Sequence, residues 1–382
     1  MPERTSRIAW SRRNCMQLLA CGTSVVALTK AATAAPATGQ VKRINFAQCQ
    51  RLTPLEMAKS SSLAVANYQY LIDQAKQVGD AKLRRLIGDM LANPAPSILE
   101  LYPTDAEKEK TRQQLIGANL LNPEITAAQI FPPAASPKQA PQPFLGTPGS
   151  GFGSHHSYPG GLGLHVALNV RTSLSMLDAY ASTNGFRLNR DIVLAAQLLH
   201  DIHKPWIFQW KADGSPLTEY KIGGTGVHHI MAIADCIHRG LSPELVVALA
   251  SAHDNPGAEE DKIVAYIKSG AIIAGKDPVA YGLLAPSGKN IVVPRRMEGF
   301  VVFLGDHEWV VSVPAEKWAL AELQDIAAQD YGLGAADMNS PKFYALRNYV
   351  FAHTSITGLH EQFVEGGRER VRATVNALIA KS

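Results

Sequence analysis

Residues 191–200, DIVLAAQLLH, carry apolar side chains at helical spacing and end on His200, with the carboxylate of Asp201 directly behind it. A helix this apolar belongs in a core. Burying an unpaired carboxylate beside an imidazole costs on the order of several kcal/mol unless something cationic satisfies it. A chain with this stretch must fold so that other segments bring the His200–Asp201 pair its partners.

The partners are at hand. Nine of the twelve histidines lie between 155 and 253. HHSYPGGLGLH supplies His155, His156 and His165, the last at the start of a helix. HDIHK supplies His200, Asp201, His203 and Lys204, and GGTGVHHIMAIADCIHRG supplies His228, His229 and His238. SPELVVALASAHDNPG places His253 at the end of a well-marked helix, with Ser242 as N-cap, Pro243 in the first turn and Asn-Pro-Gly as the stop. His200, Asp201 and His253 thus sit at helix C-termini, where peptide dipoles present partial negative charge. Two such ends meeting in one place call for positive charge between them. Imidazole and carboxylate donors together suit first-row transition metals or zinc rather than calcium or magnesium.

The remaining chain sets the frame. Apolar spacing of three and four predicts helices within 41–122, then at 162–183, 191–203, 228–240, 243–253, 259–275 and 299–312, and after Pro314 at 315–329, 341–352 and 359–380. Strand-like alternation is scarce, with IVV at 291–293 the one short candidate, so the class is mainly α. Segment 123–154 is rich in Pro, Gly and Ala and reads as a linker or a strap along the surface. GSGFGS within it lacks the preceding strand that a phosphate-cradling loop needs. The organisation read from these shifts is 1–34 export signal, 35–122 N-terminal helical region, 123–154 Pro/Gly-rich linker, 155–313 metal-binding domain and 314–382 C-terminal helical extension.

The N-terminus joins the twin arginines Arg12 and Arg13 to a short apolar stretch and an Ala-Thr-Ala site ending at Ala34. This is similar to a twin-arginine export signal and predicts a periplasmic protein. The apolar stretch is short and interrupted by Thr23, Ser24 and Lys30, which disfavours a membrane span, and the run before Cys21 is short for a lipoprotein anchor. Cleavage would remove Arg4, Arg7, Arg12, Arg13 and Lys30 against Glu3, which is the whole +4 formal charge of the chain. A nearly neutral body gives no electrostatic case for nucleic acid as a primary partner. Cys15 and Cys21 fall in the signal. Cys49 and Cys236 remain, with one bridge open to them but no disulfide framework and no cysteine-based metal site.

HHSYPGGLGLH, LLHDIHK, a glycine-led His at 228–229 and SAHDNP, in that order, resemble the HD-domain superfamily of metal-dependent phosphohydrolases over roughly 155–310. The resemblance implies an HD-type helical bundle, here with additional N- and C-terminal helices, and ligands in the order H…HD…H…H…D. It matches His165 to the first ligand, His200 and Asp201 to the doublet, His228 or His229 to the third-helix ligand, His253 to the next and a later Asp to the last. On a helical wheel His229 falls beside Ile230, Ile233 and Ile237, whereas His228 falls beside Asp235 and Arg239, which favours His229. For the last ligand, Asp277 is followed by Pro278 and reads equally well as an N-cap. Asp306 shares a helix face with Val302, Phe303, Trp309 and Val310 and is favoured, at the cost of an insertion over 257–290.

The same resemblance implies a divalent transition metal, Fe, Mn, Zn or Ni, in a mono- or dinuclear centre, with Asp201 as the natural bridge between two. It implies hydrolysis of a small phosphorylated substrate: a phosphomonoester, nucleotide or phosphodiester. Asp201 and Lys204 are then candidate catalytic groups, Lys204 against phosphoryl charge. His203, which stands where the family usually has glycine, is a candidate acid for the leaving group or a packed side chain. His155 and His156 are candidates for the entrance. Trp206, Trp210 and Tyr158 either wall a pocket for a ring-bearing substrate or belong to the core. Two other functions fit the motif order, a di-iron oxygenase of the same superfamily and a non-catalytic metal or ligand binder. Oligomeric state is not legible.

Overall fold

A computed structural model describes residues 43–185, 187–293 and 297–381. The segment read as an export signal, with Cys15 and Cys21, lies outside the described residues.

The chain is mainly α, as its apolar spacing predicts. Helices α1 (Ser62–Ala75), α2 (Ala81–Ala92) and α3 (Asp105–Gly117) come first. The next group is α4 (Gly161–Asn184), α5 (Arg190–Leu199), α6 (Val227–His238), α7 (Pro243–Ala250), α8 (Glu260–Ile273) and α9 (Glu298–Gly305). The C-terminal part is α10 (Trp309–Tyr331), α11 (Pro341–Thr354) and α12 (Ile356–Leu378). A parallel pair, β1 (Ile44–Asn45) with β4 (Ile379–Ala380), ties the two ends of the described chain together. A small antiparallel hairpin joins β2 (Lys221–Ile222) to β3 (Thr225–Gly226), immediately before α6. Ile291 makes a single bridge to Leu284.

Helix α6 is the centre. Every residue from Val227 to Ile237 is buried, because neighbours pack on all its sides. Gly270 of α8 lets that helix come close: an added Cβ would lie 2.5 Å from Cγ2 of Ile233. One apolar core runs from Leu71 to Val302 and takes residues from α1, α2, α4, α5, α6, α7, α8 and α9, together with Phe131 and Phe144 of the Pro/Gly-rich segment. A second core joins α10, α11 and α12 to Phe46, Cys49 and Met57. Cys49 and Cys236 are both free and buried. No helix among the described residues is long and apolar enough to cross a membrane.

One boundary differs from the sequence expectation of a continuous helix over 299–312. The helix ends at Gly305, Asp306 is its C-cap, and α10 begins at Trp309 and runs through Pro314. Glycine is a weak helix former, and the break turns the Asp306 carboxylate inward instead of leaving it on a helix face.

Candidate metal centre

The site is made of helix ends. His165 lies in the second turn of α4, His200 caps α5 with Asp201 after it, His228 opens α6, His253 follows α7, and Asp306 caps α9. His165 Nε2 lies 3.2 Å from Asp201 Oδ2 and 3.1 Å from Asp306 Oδ1. His200 Nε2 lies 3.3 and 3.2 Å from the same two oxygens. On the other side His228 Nε2 lies 3.1 Å from Asp201 Oδ1, and His253 Nε2 3.7 Å from Asp306 Oδ2. The donors form two compact groups, His165–His200–Asp306 and Asp201–His228–His253.

His228, and not the favoured His229, therefore belongs to the constellation. His229 points the other way, donating Nε2–H to the Ala250 carbonyl at 3.2 Å and stacking on His253 with ring centroids 3.9 Å apart. Burial pushes its imidazole down to about 3. Asp277 is exposed and caps a turn rather than a helix, its Oδ1 accepting from the amides of Val279 and Ala280, so Asp306 is the aspartate the fold brings in.

Charge and lone pairs test whether a cation fits. His200 Nδ1 donates to the Gln197 carbonyl at 2.9 Å, and His228 Nδ1 donates to Glu219 at 2.5 Å. Each ring then presents Nε2 to a carboxylate oxygen about 3 Å away, an arrangement that needs a proton or a cation between them. Both Asp201 oxygens and His228 Nε2 are buried without a geometrically sound hydrogen bond. Burial opposes ionisation of Asp201 and Asp306, but His200 and His165, with Lys204 at Asp201, together outweigh it and hold both well below the usual carboxylate range. Burial likewise opposes charging of His200, yet Asp201 and Asp306 push its imidazole up to about 10. The site attracts positive charge, and its imidazole–carboxylate donors fit divalent first-row metals.

Groups that the sequence did not single out hold the donors in place. Asn169 Nδ2, four residues after His165, donates to Asp306 Oδ1 at 2.7 Å. Glu219 holds His228, and Thr225 Oγ1 lies 2.8 Å from His253 Nδ1. The i, i+4 spacing of His165 and Asn169 could have been noticed; no local pattern marks Glu219 or Thr225. Lys204 Nζ lies 2.6 Å from Asp201 Oδ2 and donates to the Gly149 carbonyl at 2.5 Å, so the glycine-rich segment anchors the lysine.

Other candidates fall elsewhere. His203 turns away to the buried Asp235, 3.2 Å from Nε2, in a cluster with Ser97 and Arg239, and is not placed to protonate a leaving group. Burial opposes the charge on Asp235, but His203 and Arg239 hold it at about 2. Trp206 is fully buried with Nε1–H on the Pro132 carbonyl, Trp210 donates to the Gly146 carbonyl, and Tyr158 is in the second core. These three are packing residues. His156 is fully buried between Glu308 (2.7 Å) and the Tyr158 hydroxyl (3.2 Å), away from any entrance. A pocket of about 360 Å³ opens over the donors, and His155, Lys204, Tyr266, Trp309 and Val313 are among its walls.

No family model matches the chain, and no solved structure matches it. A curated protein, dihydroneopterin 2',3'-cyclic phosphate phosphodiesterase of Methanocaldococcus jannaschii, is 34% identical over 114 residues. The match takes in 30% of this chain and 45% of that protein, so the chain spans less than half the relative's length.

Proposed function

We propose that the protein is a metal-dependent phosphoester hydrolase of the HD-domain type, acting on a small phosphorylated substrate. The observation that carries the reading is the convergence of six His and Asp side chains, five of them buried, from five helix ends beneath one pocket. The similarity to a cyclic phosphate phosphodiesterase supports the reaction class and favours a phosphodiester among the possible esters.

His165, His200 and Asp306 would hold one divalent ion and Asp201, His228 and His253 a second, with Asp201 and Asp306 each also facing the other group. Bound there, such ions supply Lewis acidity toward phosphoryl oxygens and acidify water near neutral pH. The residues do the rest. The helix ends fix the donors in a dry site where charge acts strongly. Lys204 has three N–H groups, donates one to the Gly149 carbonyl and pairs with Asp201, and on the pocket wall it has donor capacity left for a phosphoryl oxygen. His155 is kept neutral by burial, reinforced by His165 and Lys204, and from the pocket wall it can accept a proton from water as that water attacks phosphorus. The twin arginines Arg12 and Arg13 and the Ala-Thr-Ala site ending at Ala34 support export as part of this reading.

The test is release of phosphate or a ring-opened monoester from a panel of phosphomonoesters, nucleotides and 2',3'-cyclic phosphodiesters, using the purified chain with Mn, Fe, Zn or Ni. Turnover lost in Asp201→Ala is the expected result. Two iron ions per chain with a mixed-valent resonance signal and no phosphoester cleavage would overturn it in favour of the oxygenase.

A further inference from the structure

We propose that the hairpin of β2 and β3, through Glu219 and Thr225, is a positioning device that sets the cation affinity of the Asp201–His228–His253 group separately from the His165–His200–Asp306 group. The inference rests on the reading that both groups hold cations.

The two groups are supported differently. The imidazoles of the first are carried by α4 and α5 and His228 of the second by the buried α6, so the groups differ in what stands behind each ring rather than in the helices that carry them. His200 is oriented by the carbonyl of its own helix at Gln197, and His165 Nδ1 has no partner. Both imidazoles of the second are held by the half-exposed hairpin segment, His228 by Glu219 just before β2 and His253 by Thr225 of β3. Glu219 Oε1 accepts from His228 Nδ1 and from the His228 amide at 2.9 Å, so it fixes ring and backbone together. Thr225 holds His253 from the other end of the same turn. A carboxylate on Nδ1 settles the tautomer, directs the Nε2 lone pair into the site and makes that nitrogen a stronger donor. The first group has no such carboxylate on its imidazoles.

The hairpin is itself fastened. The Gly223 amide donates to the Leu120 carbonyl at 2.6 Å, and the Val227 amide donates to Tyr220 at 3.0 Å. Gly226 leaves the room that Glu219 occupies: an added Cβ would meet its carboxylate at 2.5–2.7 Å. Gly226 has φ −63°, which alanine adopts freely, so Gly226→Ala displaces Glu219 without straining the backbone.

The experiment strips the full chain with EDTA and titrates it with Mn2+, reading affinity by calorimetry and ions per chain by mass spectrometry. Wild type is expected to take two ions. Glu219→Ala, Gly226→Ala and Thr225→Val should each keep one ion at wild-type affinity and bind the second about 10–100-fold more weakly, with Glu219→Gln in between. Thermal unfolding in EDTA reports whether each variant is folded, and the three lesions are different enough that one folding failure leaves the others to decide. Equal weakening of both ions, no weakening of either, or a wild type with one ion would overturn the inference. A wild type that binds no Mn2+ would refute the underlying metal reading instead.

Discussion

Gly305→Ala is a one-carbon change next to Asp306, and the structure specifies what it does. A Cβ there would lie 2.0 Å from Ser173 Oγ, 2.6 Å from Gln197 Nε2 and 3.1 Å from the Asn169 carbonyl. Rotating Ser173 does not relieve it. The Gln197 amide, which donates to both Ser173 Oγ and the Val302 carbonyl at 2.8 Å, would still be in the way. The end of α9 must move outward by about 1 Å to restore ordinary contact. Asp306 Oδ1 sits 3.1 and 3.2 Å from His165 and His200, so the same movement carries it past reach of both. Two energies oppose each other: overpacking costs about 1–3 kcal/mol, and replacing a helical glycine returns up to about 1 kcal/mol. Net destabilisation should therefore be modest, about 0–2 kcal/mol, while a 1 Å misplacement lowers turnover about 100-fold. Urea unfolding in EDTA reads the first and phosphodiester hydrolysis with saturating Mn2+ the second. Gly88→Ala, where nothing lies within 4 Å of the new methyl, is the control and should gain about 0.5–1 kcal/mol with turnover unchanged. If Gly305→Ala keeps wild-type turnover, the reasoning that ties Asp306 to this close approach is wrong.

Other outcomes follow from the same geometry. His228→Ala should lose more turnover than the roughly 10–100-fold expected of an outer partner, whereas His229→Asn should act mainly on stability in urea; equal losses of turnover would count against the placement of His228. Chelation should lower the midpoint of thermal unfolding, because an ion at 100 times its Kd contributes about 2.7 kcal/mol per site, and a midpoint unmoved by EDTA would contradict the metal reading. Arg347→Met leaves the buried Glu316 without its cation, at a cost of about 3–5 kcal/mol in urea unfolding. Burial already raises the Glu316 carboxyl against the pull of Arg347, and the variant raises it further. The folded state then takes up a proton more readily than the unfolded one, so stability falls as pH rises through the carboxylate range. The deficit should be larger at pH 8 than at pH 5.

Much of the helical frame was legible because apolar spacing reports which face of a helix is buried, and burial is what most of these helices do. The breaks were less legible. Nothing in EGFVVFLGDHEWVV lowers its apolar periodicity at Gly305, yet the chain turns there. The hairpin at 221–226 is too short for alternation to register, and its register is held by contacts with Leu120 and Tyr220 that no local pattern contains.

The choice between His228 and His229 shows where such reasoning reaches its limit. The helical wheel correctly sends His229 into the core, where it stacks on His253 and bonds the Ala250 carbonyl. Its error lies in equating the core face with the site. The centre is assembled from helix ends, and at an end a side chain can leave the axis and meet groups from other elements whatever face it occupies. His228 does so from the first turn of α6, with Glu219 behind it and Asp201 in front. The wheel's polar face fails for the complementary reason: α6 is covered all round, so Asp235 on that face is buried and needs His203, Ser97 and Arg239 as partners. A histidine near the start of a fully buried helix is thus better judged by what the preceding turn can place behind its ring than by the company it keeps along the helix.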